Sequence, residues 1–265
     1  MEITELTAST WGILAAAAFV MGMSKGGIPG IAVAAIPWVA MTVPGKASTG
    51  LILPMLIIGD LFALAWFRRS ASIKDVLRAL PWAVLGVFAG WWLLGKIPDD
   101  NPKIMNRIVG VIILFILTLQ IGKKLIALKK PRDATPANPV RSGANDSPTA
   151  HIYAMFMGAF GGITTTLANA AGPVMSAYFL GLKLPKATFI GTSAWFFFII
   201  NWIKVPIMVK EKMISLESLR VNLYLIPALL LGVFAGIAIV KRINQATFEW
   251  VVTIIAALAS LKLVI

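Results

Sequence analysis

Three charged side chains, Lys25, Asp60 and Lys204, stand inside otherwise apolar stretches of the chain. A charge in hydrocarbon is costly unless it is paired or hydrated, so such a residue marks a ligand contact, a transport pathway or a structural ion pair. Lys25 lies in the run Ser24-Lys25-Gly26-Gly27-Ile28-Pro29-Gly30, Asp60 in the middle of LILPMLIIGDLFALAWF, and Lys204 three residues after Asn201 in FFFIINWIKVP. Pairing of Asp60 with Lys25 is expected, which would orient the lysine; proton carriage is the other role open to the acid. For Lys204 the choice is between a ligand contact and snorkelling towards the bilayer surface.

The Gly-rich run around Lys25 interrupts a long apolar segment, and Gly161-Gly162-Ile163-Thr164-Thr165-Thr166 is expected to interrupt a second. Where a helix restarts after such a break, its first amides lack intrahelical acceptors and its dipole is positive, which suits an anion. The substrate-binding set expected on this logic is Lys25, Ser24, Gly26, Gly27, Thr165, Asn169, Thr192, Ser193, Asn201 and Lys204, with Asp60 in a coupling or orienting role. Each single glycine has close helix packing as its simpler explanation.

Other chemistries are poorly supplied. The chain has no cysteine and one histidine, His151, in a polar stretch, so thiolate, disulfide and Cys-ligated metal chemistry are excluded. No Ser/His/Asp or paired-carboxylate set lies in the apolar segments, and Asp60 alone cannot supply both acid and base. The sequence GKAS at 45–48 lacks the spaced upstream glycine of a phosphate loop. No enzyme, cofactor or metal is expected.

The elements that must position these residues are membrane helices. Hydrophobic residues make up 58% of the chain and charged ones 13%, with a mean hydropathy of +0.85, too apolar for a soluble domain. Apolar stretches run at 11–43, 47–67, 79–95 and 104–122, then at 152–182, 187–209, 221–240 and 247–265. Most approach the ~20 residues that cross a hydrocarbon core. The ten residues Pro81–Gly90 (PWAVLGVFAG) return at Pro227–Gly236 (PALLLGVFAG), seven of them identical, so the expected architecture is an all-α polytopic membrane protein of two repeated halves, 11–128 and 152–265. A flexible polar linker is expected at 129–151, and the halves together form a single transmembrane domain, 1–265. The first segment of each half is too long for one straight crossing and is broken. If it is re-entrant the copies are inverted, if it crosses they are parallel; the positive-inside rule gives the same charge tally for both. Length and breaks favour inverted copies with both termini outside. The N-terminal run, with two acids and no Lys or Arg before its first apolar stretch, is expected to be retained rather than cleaved. The net charge of +13 resides between apolar segments, which reads as positive loops and excludes nucleic acid.

Four strings, GMSKGGIPG at 22–30, LPMLIIGDLFALAWFRR at 53–69, ITTTLANAAGPVMSAYFL at 163–180 and FIGTSAWFFFIINWIKVP at 189–206, resemble the TauE/SafE family of sulfite and sulfonate transporters. The resemblance covers both halves. It implies a secondary carrier for small sulfur-containing anions such as sulfite, sulfoacetate or related organosulfonates, working by alternating access in the cell inner membrane. One departure is that Ala47-Ser48-Thr49-Gly50 stands in the first half where the second has the more typical Gly191-Thr192-Ser193-Ala194. The expected partners are a small anionic substrate and the lipid bilayer, with a homodimer left open. The rival functions are a permease for another small organic anion and a membrane assembly factor without transport activity.

Overall fold

The computed structural model describes residues 7–27, 30–43, 45–97, 148–182 and 184–240, with scattered positions from 103 to 122 and Leu261. The expected last segment, 247–265, most of the linker and parts of 104–122 lie outside these residues, as do Ile28 and Pro29 of the first break. The described residues contain helices and no strand. In chain order the helices are α1 (Ala8–Lys25), α2 (Ala32–Thr42), α3 (Lys46–Phe67), α4 (Ile73–Leu94), α5 (Pro148–Ala168), α6 (Ala171–Gly181), α7 (Lys186–Lys210) and α8 (Leu216–Val240). A 3₁₀ turn, Arg68–Ser70, follows α3. Four of them, α3, α4, α7 and α8, are long and apolar enough to cross a bilayer.

The outer surface is unlike that of a water-soluble protein. Leu61, Trp66, Leu85, Phe88, Trp92, Leu223, Leu231 and Phe234 are exposed, whereas Asp60, Thr165, Asn201 and Lys204 are buried. An outer apolar belt around a core that encloses charged and polar side chains is what hydrocarbon solvent selects, and the chain is a multi-pass membrane protein.

The repeated ten-residue motif acquires its meaning in the packing. Its glycines, Gly86 and Gly90 in α4 and Gly232 and Gly236 in α8, are spaced for one helix face, as are Gly158 and Gly162 in α5 and Gly22 in α1 with Gly26, the residue that caps it. A Cβ at Gly22 would stand 2.0 Å from the Leu229 carbonyl oxygen, and one at Gly232 2.0 Å from that of Phe19. In the other interface a Cβ at Gly86 would stand 2.1 Å from the Ala159 carbonyl, and one at Gly162 2.1 Å from that of Ala83. Backbones this close are held by dispersion and Cα–H···O contacts, the usual means of association between helices in lipid. Each half therefore lends its first helix to a helix of the other half, α1 to α8 and α5 to α4.

The order of contacts fixes direction. Gly22 meets Leu229 and Val233 while Gly26 meets Val233 and Gly236, so α1 and α8 run the same way; Gly158 and Gly162 meet Ala79, Ala83 and then Gly86, so α5 and α4 do too. Helices α3 and α7 run oppositely, because Gly50 near the start of α3 touches Met213 just beyond α7, and Gly191 near the start of α7 touches Phe67 and Ala71 at the end of α3. One end of the bundle, the Lys46 end, thus gathers the starts of α1, α3 and α8 with the ends of α2 and α7. The other, the Ser72 end, gathers the starts of α4, α5 and α7 with the ends of α3 and α6.

Two boundaries differ from expectation. Helix α5 runs through Gly161–Thr166 and breaks only at Asn169 and Ala170. The glycines there are packing surfaces against α4 and Met175, and the hydroxyls of Thr164 and Thr166 donate to the carbonyls of Phe160 and Gly162 one turn back, at 2.9 and 3.0 Å, which satisfies them within the helix at a small cost in stability. The break falls where Asn169 adopts φ +50°, a left-handed conformation that Asn tolerates. The other difference is that Pro148–His151, expected in the linker, form the first turn of α5, where proline's missing N–H is no loss. In consequence the arms before the breaks, 18 and 21 residues, exceed the half-helices expected. The arms after them, α2 and α6 at 11 residues each, span only about 16 Å, half a hydrocarbon core.

Candidate functional site

The two breaks meet in the middle of the bundle. The first turns on Gly27 and Gly30, with φ of +117° and +87°, which glycine adopts without strain. Gly30 and Gly172 are neighbours across the two breaks, a Cβ on Gly172 falling 3.9 Å from the Gly30 Cα, an ordinary contact. The starts of α2 and α6 therefore face each other across a cavity of about 60 Å³, room for on the order of four ordered waters. Ser24, Lys25, Gly27, Gly30, Ala32 and Gly172 line it from the breaks, and Leu56, Asp60 and Ala63 from α3. Helix α7 contributes Phe189, Ile190, Ser193, Ala194, Phe197 and Asn201; Thr165, Asn169 and Ser176 complete the wall.

Lys25 ends α1, and its ammonium donates to Asp60 Oδ1 at 2.5 Å while lying 4.7 Å from the centre of the Phe197 ring. The lysine stem lies on Gly59, where a Cβ would be 2.8 Å from Lys25 Cγ. Asp60 is fully buried and its other oxygen accepts from Asn201 Nδ2 at 2.9 Å. The ion pair is thus a three-residue arrangement that leaves one face of Lys25, 12% exposed, to the cavity.

Lys204 is fully buried and does not snorkel. Its Nζ donates to the Thr165 carbonyl at 3.0 Å, to Thr165 Oγ1 at 2.9 Å and to Asn169 Oδ1 at 2.7 Å, with Asn201 Oδ1 at 3.4 Å. Asn169 Nδ2 in turn donates to the Thr49 carbonyl at 2.8 Å, and Thr49 Oγ1 to the Leu167 carbonyl at 3.3 Å. All four of these hydrogen-bond acceptors are neutral.

Each hairpin tip brings together a helix C-terminus and a helix N-terminus, whose dipoles oppose. The C-terminal ends are matched by cations, since Lys204 binds a carbonyl in the last turn of α5 and Lys25 is itself in the last turn of α1. The N-terminal ends of α2 and α6 remain turned towards the cavity. Ser193 adds a buried hydroxyl for which no hydrogen-bond partner is found. With Lys25, Lys204 and Asp60 ionised, the centre carries a formal excess of one positive charge, so the arrangement is electrostatically suited to an anion.

Of the residues expected at the site, Ser24, Lys25, Gly27, Asp60, Thr165, Asn169, Ser193 and Asn201 line the cavity. Three do not. Gly26 is packed on α8, where a Cβ would be 2.3 Å from the Val233 carbonyl. Thr192 points the other way along α7 and accepts from the Ser72 amide at 2.9 Å. Lys204 lies behind Asn201 and Asn169, outside the lining. Gly30 of the first break also lines it, and lining residues the sequence did not single out include Gly172 at the start of α6 and Ser176, Phe189 and Phe197. The α7 members follow a helical stripe through positions 193, 197 and 201, a spacing visible in the sequence.

Among the described residues no cluster of His, Cys, Asp or Glu could hold a metal ion. No curated protein and no solved structure matches the chain significantly. A family model does match, that of the sulfite exporter TauE/SafE, over residues 14–263. That span takes in both glycine interfaces, both breaks and every wall of the cavity, and the chain belongs to the TauE/SafE sulfite exporter family of membrane transporters.

Proposed function

We propose that the protein is a secondary carrier that moves a small sulfur-containing anion, sulfite or a short organosulfonate such as sulfoacetate, across the cell inner membrane by alternating access. The observation that carries this reading is the cavity in which the starts of α2 and α6, the ammonium of Lys25 and the unpartnered Ser193 hydroxyl converge. Backbone amides and an ammonium together suit an oxyanion, which has several acceptor oxygens to satisfy. The small volume favours a compact anion. The apolar side of the wall, Leu56, Phe189, Ile190 and Phe197, would accept the carbon portion of a sulfonate.

The architecture that supports alternating access is an inverted repeat, in which each half holds a re-entrant pair, α1–α2 or α5–α6, followed by crossing helices. Three relations fit it: α1 runs with α8, α4 runs with α5, and α3 opposes α7. A parallel repeat, whose first segments cross fully, would keep the first two relations and reverse the third, so the opposed course of α3 and α7 is the discriminating one. The Ser72 end carries Arg68, Arg69, Lys74 and Arg78, and on this reading it faces the cytoplasm. The cavity walls extend to Phe189 near that end, as an inward-facing carrier requires.

The test is counterflow of radiolabelled sulfite and short sulfonates in proteoliposomes under imposed proton and sodium gradients. Accumulation that depends on the purified protein alone supports the carrier. Flux confined to other small organic anions would reassign the substrate, and absence of any solute flux would favour an assembly factor. Lys25→Ala is expected to abolish anion binding in calorimetry while the protein stays monodisperse; unchanged affinity would remove Lys25 from the site.

A further inference from the structure

We propose that Lys204 is a second anion-binding lysine, held in reserve here and used when the carrier opens to the Lys46 end, and that Asn201 hands the anion between it and Lys25. This rests on the reading of the chain as an anion carrier. The first observation is an asymmetry of exposure. Lys25 lines the cavity, whereas Lys204 is fully buried just beyond it, one turn further along α7 towards the Lys46 end. The second is the company each keeps. Lys25 has a carboxylate, but Lys204 makes no ion pair with any described carboxylate and rests on the neutral oxygens of Thr165 and Asn169. A buried ammonium with neutral partners retains its demand for an anion, and its partners belong to a hairpin tip that can withdraw.

The third observation is that the two half-sites are built alike. Lys25 to Asp60 and Asn169 to Lys204 each join a break to the long helix that follows it, and each pair is separated by 35 residues. The cation belongs to the break in one half and to the long helix in the other. Asn201 stands between, with its amide NH₂ donating to Asp60 and its carbonyl facing Lys204. That amide orientation satisfies both neighbours, and the flipped one would oppose donor to donor.

Opening towards the Lys46 end would part α5–α6 from α7, releasing Lys204 from Thr165 and Asn169 and breaking the bonds of Thr49 to Asn169 and Leu167 that now close that end. Lys204 would then face the anion, while Lys25 would be closed in against Asp60. The two lysines act in turn, and the anion need never meet both at full strength, a feature that protects release.

The experiment measures initial rates of radiolabelled sulfite flux in vesicles of each orientation. Lys204→Gln is expected to raise the half-saturating sulfite concentration at the Lys46 end by about tenfold or more, the loss of one charge-assisted hydrogen bond, and to change that at the Ser72 end by less than about twofold. Lys25→Gln should show the reverse preference. Asn169→Asp keeps the shape of the cluster and gives Lys204 an internal counter-ion; it should reproduce the Lys46-end defect even if Lys204→Gln fails to fold. Equal shifts at both ends, or no shift at either, would overturn the proposal while leaving the carrier reading in place. Absence of flux in the unmodified protein would overturn both.

Discussion

The Lys25–Asp60 pair can be tested by a double-mutant cycle whose arms should be unequal. Lys25→Gln strands a carboxylate that is fully buried and retains only the Asn201 amide, and loss of one partner from a buried pair costs about 3–5 kcal/mol. Asp60→Asn strands an ammonium instead, but Lys25 reaches the cavity and the Phe197 ring, so the loss should be smaller, about 2–3 kcal/mol. The double change Lys25→Gln with Asp60→Asn removes both charges and should cost little more than Asp60→Asn alone, a coupling of roughly 3 kcal/mol. At roughly 2–4 °C per kcal/mol for a chain of this size, Lys25→Gln should lower Tm by about 6–20 °C, and the double variant should recover much of that. Thermal shift in detergent on the four proteins measures the cycle. Strict additivity, within about 0.5 kcal/mol, would refute the pairing, and additivity with a flattened pH dependence of transport would make Asp60 a proton carrier.

The glycine interfaces predict opposite outcomes for one substitution: Gly22→Ala should lower thermal stability by about 1–3 kcal/mol or more through overpacking on Leu229, whereas Gly12→Ala, with nothing within 4 Å, should be neutral or raise it by up to about 1 kcal/mol. Single cysteines at Ser9 and Ser70 in this cysteine-free chain should react with an impermeant thiol reagent from opposite sides of the membrane; labelling from the same side would restore parallel copies. Thr192→Val strands the Ser72 amide and should cost about 1–3 kcal/mol in thermal shift with anion affinity unchanged. Ser193→Ala, by contrast, should weaken anion binding in calorimetry by about three- to tenfold, the value of one hydrogen bond.

Features readable along the sequence were those with a local cause. Lys25 and Asp60 announced themselves because charge in an apolar run is costly, and the copied glycine motif because its spacing sets a helix face. The second break was misplaced because glycine and threonine were read as breakers, whereas here they pack and back-bond; the positive φ of Asn169 is a tertiary outcome. Thr192 and Ser193 are neighbours in sequence with opposite destinies, one joined to Ser72 and the other lining the cavity. Only the rotation of α7 against α3 decides between them. The bond from Asn201 to Asp60 joins residues 141 apart, and no local pattern encodes that meeting.

The exchange of first helices between halves has a consequence for biogenesis. During synthesis the glycine face of α1 has no partner until α8 emerges, some 215 residues later along the chain. At 5–20 residues per second that is roughly 10–40 s in which a surface built for backbone contact stands open in lipid. The first half alone would also lack α5 for its α4, so a truncated product should be recognised as an orphan by membrane quality control. Co-expressed half-chains should rescue one another by supplying the missing helix in trans.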